Sequence, residues 1–260
     1  MVKSMVLNKI LQHRFLFEEL VKRDFTKKYK RTVLGVGWSM LSPLINLLIM
    51  WVIFSNFFGN EMEHYVIYLF AGQLVFGCFT ESNTTAMDTL ILNAPIYTKV
   101  NIPKYLFLLS QNFSSLINFM VTLAVFFLFV LLDGVAVTWR VVLLLYPIGC
   151  MILFNLGLGL ILSALFVFFR DMKYLWSLMT QLIMWMSAIF YTTDSFPPWL
   201  RNLFYLNPVY VFITYFRRIL LEGAVPGAGL HLLCLAYSLI SLGIGAWMYK
   251  RYNHEFLYYV

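Results

Sequence analysis

The chain has 260 residues, 61% of them hydrophobic and 12% charged, with a mean hydropathy of +0.78. Soluble domains carry about 25% charged residues, so a water-soluble fold of this size is excluded and an integral membrane protein is indicated. The 19 Lys and Arg against 12 Asp and Glu give +7, which in a membrane chain reports which side faces the cytoplasm and argues against nucleic acid as a partner.

Residues 5–28 repeat apolar side chains at threes and fours (Leu7, Ile10, Leu11, Phe17, Val21, Phe25), with Lys9, Glu18, Lys22, Arg23 and Lys27 between them. The pattern predicts an amphipathic helix in the inner membrane interface, its basic face toward anionic lipid headgroups. A soluble lead-in helix is the alternative. The segment before Arg31 is charged throughout, unlike a cleavable signal peptide. Residues 1–33 therefore read as a cytoplasmic interface unit and 34–260 as a transmembrane domain.

Six apolar runs follow, at about 34–58, 65–92, 105–132, 141–169, 174–191 and 230–249. Each can cross a core of about 30 Å as a helix. Continuous apolar runs, rather than alternation, argue against a barrel. Six spans place both termini on one side. Fifteen of the nineteen basic residues fall in 1–33, 93–104, 170–173 and 250–260, so that side is cytoplasmic. The predicted fold class is an all-α integral membrane protein with six transmembrane helices and an N-terminal amphipathic interface helix. Breaker-punctuated residues 192–229 predict short outer re-entrant helices between the fifth and sixth spans.

Several motifs stand out along the spans. The first opens on Arg31, Leu34, Gly35, Gly37, Trp38 and Pro43; the glycines predict close helix contact, Trp38 an interfacial anchor and Pro43 a kink. The second carries a polar run from Thr80 to Thr85, then Asp88. Glu81, Ser82 and Asn83 read either as the wall of a conduit or as helix-to-helix glue. Between the second and third spans, Pro95, Tyr97, Lys99, Val100, Ile102, Pro103 and Lys104 form a compact turn. It suits a soluble partner, with an ordinary loop as the alternative. Gly157, the Gly159/Ser163 pair and the Ser241/Gly245 pair predict packing seams. Arg170 and Asp171 read as topological anchors or a local ion pair. Arg217 and Arg218 lie on the outer side, against the charge trend.

Catalytic machinery is not evident. His13, His64, His231 and His254 lack ligand spacing, and Cys78, Cys150 and Cys234 fall within spans, so no metal site is expected. No phosphate-binding Gly-x-x-x-x-Gly-Lys-Ser/Thr loop and no nucleophile–base set occurs. Glu81 and Asp88 are the only acids within the spans. The chain reads as a passive membrane part whose energy comes from elsewhere, not as an enzyme.

Residues 28–38 with Pro43, the turn from Lys99 to Lys104, Phe169-Arg-Asp and Leu206-Asn-Pro together resemble the permeases of type-2 ATP-binding-cassette exporters. The branch is that moving O-antigen, capsule, teichoic acid or rhamnose-rich wall polysaccharides. The resemblance covers nearly the whole chain; Ile102 and Leu108 depart from a family preference for phenylalanine and proline at those positions. It implies a homodimer in a bacterial or archaeal cell membrane, with two copies of a separate ATPase that carry ATP and Mg; this chain itself binds no cofactor. The turn would be the coupling helix seated on the ATPase. The conduit would run at the dimer interface between first and fifth spans, with Trp38 and Tyr191 as lining residues. The cargo would be an undecaprenyl-diphosphate-linked glycan, its diphosphate met by Lys28, Lys30 and Arg31 unless these only anchor to headgroups. Arg217 and Arg218 would receive it at the outer exit. A type-2 exporter of drugs or lipids, and a membrane-embedded glycosyl- or phosphotransferase, are the alternatives.

Overall fold

Every regular element among the described residues is helical. The structure is a computed structural model and describes residues 14–30, 32–54, 63–100 and 102–259. Helices α1 (Arg14–Tyr29), α2 (Trp38–Phe54), α3 (Tyr65–Leu92), α4 (Ala94–Tyr97) and α5 (Tyr105–Leu132) make up the first half. The second half holds α6 (Leu145–Phe168), α7 (Met172–Trp185), α8 (Pro198–Phe204), α9 (Pro208–Leu220) and α10 (Ala228–Tyr252). Short 3-10 turns at Gly35–Gly37, Trp139–Leu144 and Glu255–Leu257 join or close them. Arg31, residues 5–13 of the predicted amphipathic segment and residues 55–58 of the first predicted span lie outside the described residues.

Three helical stretches are long and apolar enough to cross a membrane: Tyr105–Leu132, Trp139–Phe168 and Ala228–Tyr252. They coincide with the third, fourth and sixth apolar runs. The second run corresponds to α3, whose 28 residues reach about 42 Å but include the polar stretch around Glu81. The first run is shorter than expected within the described residues, because the chain turns at Gly35–Gly37 before α2 begins. There the glycines do not seat a neighbouring helix. A Cβ on Gly35 would meet open space, and its φ of +53° is what the turn requires.

The fifth run is corrected more substantially. Helix α7 ends at Trp185 after 14 residues, about 21 Å, short of a hydrocarbon core of about 30 Å. Residues 186–191 are irregular, with Ala188 at φ 47°. Backbone that leaves a helix inside an apolar bundle must find other partners for its carbonyls, and here side chains supply them. Asn207 Nδ2 donates to Met186 O at 3.1 Å, while its Oδ1 accepts from Val209 N at 3.0 Å and so caps α9. Tyr65 Oη donates to Phe190 O at 2.9 Å and Tyr68 Oη to Tyr191 O at 2.7 Å.

Arg217 completes this set. Its guanidinium donates to Ala188 O and Ile189 O, each at 2.9 Å, and to Tyr68 O at 3.1 Å. It also lies 3.3 Å from the centre of the Tyr68 ring, a cation–π geometry. The expectation of an outer exit residue therefore fails for Arg217, which is 7% exposed and fully engaged. Arg218 points the other way, partly exposed and 3.9 Å from Glu222. Short helices are present in 192–229, as expected, in the form of α8 and α9, and α9 is buried along most of its length.

Of the predicted small-residue seams, Gly157 and the Ser241/Gly245 pair join α6 to α10, while Gly159 faces Ala86 of α3, which a Cβ would approach to 2.8 Å. A Cβ on Gly157 would strike the backbone of Ser241 and Leu242, and one on Gly245 would strike the carbonyl of Gly157. Close approach lets serines bond across: Ser238 Oγ donates to Cys150 O at 2.6 Å and Ser241 Oγ to Phe154 O at 3.0 Å. A main core runs through α3, α5, α6, α9 and α10. A smaller cluster at the α4 end gathers Leu20, Tyr97, Phe107, Leu160, Tyr249 and Phe256.

Two predictions follow from this packing. Arg217→Met, which abandons several buried carbonyls, is expected to cost at least about 3 kcal/mol at about 1–3 kcal/mol per unmet group, with Arg217→Lys recovering only part of it. Arg218→Ala should be near neutral; thermal unfolding of the purified protein in detergent measures all three. Gly157→Ala is expected to cost about 1–3 kcal/mol by overpacking in the same assay. Gly149→Ala, where a Cβ meets nothing within 4 Å, should be tolerated.

Candidate functional site

Polar side chains recur on one face of each of four helices, and the helices turn those faces toward one another. On α3 the stripe is Gln73, Gly77, Glu81, Thr85 and Asp88, a spacing of three and four that holds one side of a helix. Helix α5 answers with Gln111, Ser114, Asn118 and Thr122, and α2 with Trp38, Ser39, Ser42 and Asn46. Arg23, Asp24, Lys27 and Lys28 of α1 close the α4 end. The result is a cleft of two chambers. One, of about 410 Å³, lies between α2, α3 and α5; the other, of about 570 Å³, lies between α1, α3 and α5.

Lys28 and Glu81 line both chambers and join across the boundary, Nζ to Oε1 at 2.8 Å. Asn118 Nδ2 donates to the same carboxylate oxygen at 2.6 Å, and Tyr29 Oη donates to Asn118 Oδ1 at 2.8 Å. A charge on an apolar span has to find such partners, because leaving it bare in hydrocarbon costs about 2.5–3.5 kcal/mol on insertion scales. The pair stays partly open, with side-chain exposures of 43% and 29%. Ion pairs so accessible contribute only about 0–1 kcal/mol. The bridge therefore fixes position while remaining cheap to break.

Helix α1 meets α5 through the same kind of polar contact. Ser110 Oγ donates to Asp24 Oδ2 at 2.9 Å, Arg23 pairs with Asp24 at 2.6 Å, and Phe17 packs edge-on against Phe113 at 5.9 Å. Its most buried apolar residue is Leu20. The docked face thus runs through Phe17, Leu20, Asp24 and Lys28, rotated from the expected stripe of Phe17, Val21 and Phe25. Hydropathy alone misses it because the receiving helices offer Ser110 and Glu81, which make acidic and basic residues good contacts.

The polar run of α3 divides by residue. Glu81 lines the cleft. Ser82 and Asn83 do not: they are buried, Ser82 accepting from Asn112 Nδ2 at 3.1 Å and Asn83 donating to Asn155 Oδ1 at 3.0 Å. They are helix-to-helix glue, which corrects their assignment as conduit lining. Trp38 and Pro43 line the 410 Å³ chamber. Tyr191 lies elsewhere, half-buried among Phe196 and Phe204, its hydroxyl donating to Trp185 O at 2.5 Å. Lys30 and Leu34 are exposed. Sequence reasoning missed Gln73, Gln111, Asn118 and Asp24; the polar residues of α5, spaced at three and four within an apolar span, were the available signal.

The 93–104 turn is compact. Asn93 Nδ2 donates to Thr89 O at 2.8 Å, and Pro95 opens the four-residue α4. Pro95, Lys99 and Val100 are exposed, Ile102 and Pro103 half-buried, and Tyr97 and Lys104 buried. A rigid turn thus presents a short outward surface of mixed basic and apolar character.

The comparisons with known proteins agree with one another. An O-antigen export system permease protein RfbA of Klebsiella pneumoniae is 25% identical over 247 residues, covering 93% of this chain and 95% of the relative. An O-antigen export system permease protein RfbA of Myxococcus xanthus is 24% identical, covering 96% and 97%. The polysialic acid transport protein KpsM of Escherichia coli is 20% identical, covering 92% and 94%. The family model for the ABC-2 type transporter matches residues 16–221, which takes in the polar cleft, the turn and the broken α7–α9 segment. The chain belongs to the ABC-2 type transporter family of membrane proteins.

Proposed function

We propose that this chain is the permease subunit of an ATP-driven polysaccharide exporter, which carries a lipid-linked glycan outward across the cell membrane. Six crossings, the fifth made by α7 together with the irregular residues 186–191, form each subunit with both termini cytoplasmic. Two subunits pair, and two copies of a separate ATPase supply the energy through the 93–104 turn. The observation that carries the reading is the polar cleft beside α1, in a chain whose relatives are named as O-antigen and polysialic acid export proteins.

The cleft suits an amphiphile whose head is polar and anionic. Arg23, Lys27 and Lys28 stand at the chamber nearest the turn together with the acids Asp24, Glu81 and Asp88, and Lys and Arg are the usual partners of phosphate groups. A diphosphate arriving there competes with Glu81 for Lys28. Since the Lys28–Glu81 bridge is cheap to break, that competition joins the two chambers and opens a continuous polar path. Lys30, exposed, extends the basic surface.

Dimer pairing is supported by the apolar faces that a single subunit leaves open. Ile45, Leu48 and Val52 on α2, and Tyr174, Leu178 and Leu182 on α7, are all more than 40% exposed. Sugar rings stack on aromatic faces whatever charge the polymer carries, so Trp38, which lines the 410 Å³ chamber and is 41% exposed, suits the wall of the conduit. Arg218 remains available as an outer contact.

Two experiments test the reading. In a membrane-reconstituted complex, Lys99→Glu or Pro103→Ala is expected to lower capture of the ATPase and its stimulation at least about tenfold, equivalent to about 1.4 kcal/mol; retained capture sinks the docking assignment. Lys28→Glu is expected to abolish export by removing a phosphate donor and repelling Glu81. The double variant Lys28→Glu/Glu81→Lys should recover the folded yield without recovering export in full. Full export by the Lys28→Glu single variant would remove the headgroup role.

A further inference from the structure

Residues 253–259, after α10, are folded back onto the turn and the end of α6. Lys104, the last residue of the turn, is 8% exposed, and its ammonium donates to the backbone carbonyl of Asn253 and, at 3.4 Å, to Asn253 Oδ1. The same ammonium sits 5.6 Å from the ring centres of both Tyr97, in α4, and Phe256, in the closing 3-10 turn. Burial pushes the Lys104 ammonium down from its ordinary range. Phe256 is itself fully buried, 5.3 Å from Tyr249 of α10 and 5.8 Å from Phe168 at the end of α6. Farther on, Tyr259 packs against Phe168 at 5.1 Å, and its carbonyl accepts from Arg170 at 3.4 Å.

A backbone carbonyl held by a buried ammonium between two aromatic faces is a directed connection. A tail that merely covered apolar surface would need no buried cation. The linkage also has a defined far end, since α10 is locked to α6 at Gly157 and Gly245. Movement of the turn therefore has a rigid route to α6 and α10, in addition to the helices α3 and α5 that flank it.

We propose that Lys104 and residues 253–259 clamp the turn, so that the turn and the ends of α6 and α10 move as one body when the ATPase acts. The clamp rests on the reading that the turn docks the ATPase, and Lys104 is a positioning residue rather than a docking one.

The test uses the full complex with its ATPase in lipid nanodiscs. Spin labels are placed through Thr98→Cys and Tyr258→Cys, both exposed. The native Cys78, Cys150 and Cys234 are buried and leave the labels site-selective. With Lys104 present, the distance between labels should shift by less than about 2 Å, the scale of small helix adjustments, between the nucleotide-free and vanadate-trapped states. In Lys104→Met the distance should broaden and change on trapping, and Lys104→Arg should restore its constancy. A change of several ångströms with Lys104 present, or constancy retained in Lys104→Met, overturns the clamp while leaving the docking reading intact. ATPase capture that survives Lys99→Glu overturns the docking reading, and the clamp's part in coupling falls with it.

Discussion

A carboxylate on an apolar span has to be matched, and the matching of Glu81 organises the rest of this molecule. Lys28 and Asn118 meet it from two different helices, so one acidic residue fixes α1 against α3 and α3 against α5. Tyr29, bonded to Asn118, ties the end of α1 a second time. The cleft is the space these contacts hold open, and its division into two chambers is the bridge itself. Removing the charge from Glu81 would relieve a desolvation cost and give up one tie to α1, which keeps its contacts through Phe17, Leu20, Asp24 and Tyr29.

Arg217 applies the same constraint at the other end with the sign reversed. Where α7 breaks, carbonyls rather than a carboxylate lack partners, and a buried guanidinium with several donors is the side chain able to serve them together. Gly72 makes room for it: a Cβ there would lie 3.0 Å from the Arg217 guanidinium and 3.1 Å from Ile189. The break, the arginine, the glycine and the capped α9 form one structural unit. It lets an irregular segment persist inside an apolar bundle.

Much of this was legible in the sequence, and the boundary of legibility has a physical cause. Long apolar runs set the ends of α3 and α5 to the residue, because burial in hydrocarbon depends on side-chain character read locally. The seam of Gly157 and Gly245 was legible for the same reason, since small residues at helical spacing have few other uses. What was missed depends on pairing. Nothing local distinguishes Glu81 from Ser82, yet one faces a cleft and the other a neighbouring helix, decided by Asn118 and Asn112 one turn and a half apart on α5. Arg217 and Arg218 differ likewise only by which carbonyls lie within reach. The fifth span was read too long because its apolar character continues past Trp185, while the helix stops where Asn207 and Arg217, from elsewhere in the chain, offer partners to the backbone. The contact of the tail with Lys104 is not legible because it joins residues far apart in sequence.

We propose that the cleft and the turn serve outward movement of a lipid-linked polysaccharide. The most direct measurement is depletion of this chain in its own cells, followed by chemical identification of the glycan that accumulates. Lipid-linked polymer should build up on the cytoplasmic side, protected from glycosidase added outside, and the surface polymer should fall in step. Unchanged surface polymer with no protected intermediate, or loss of a transfer reaction that needs no ATP, would contradict the account.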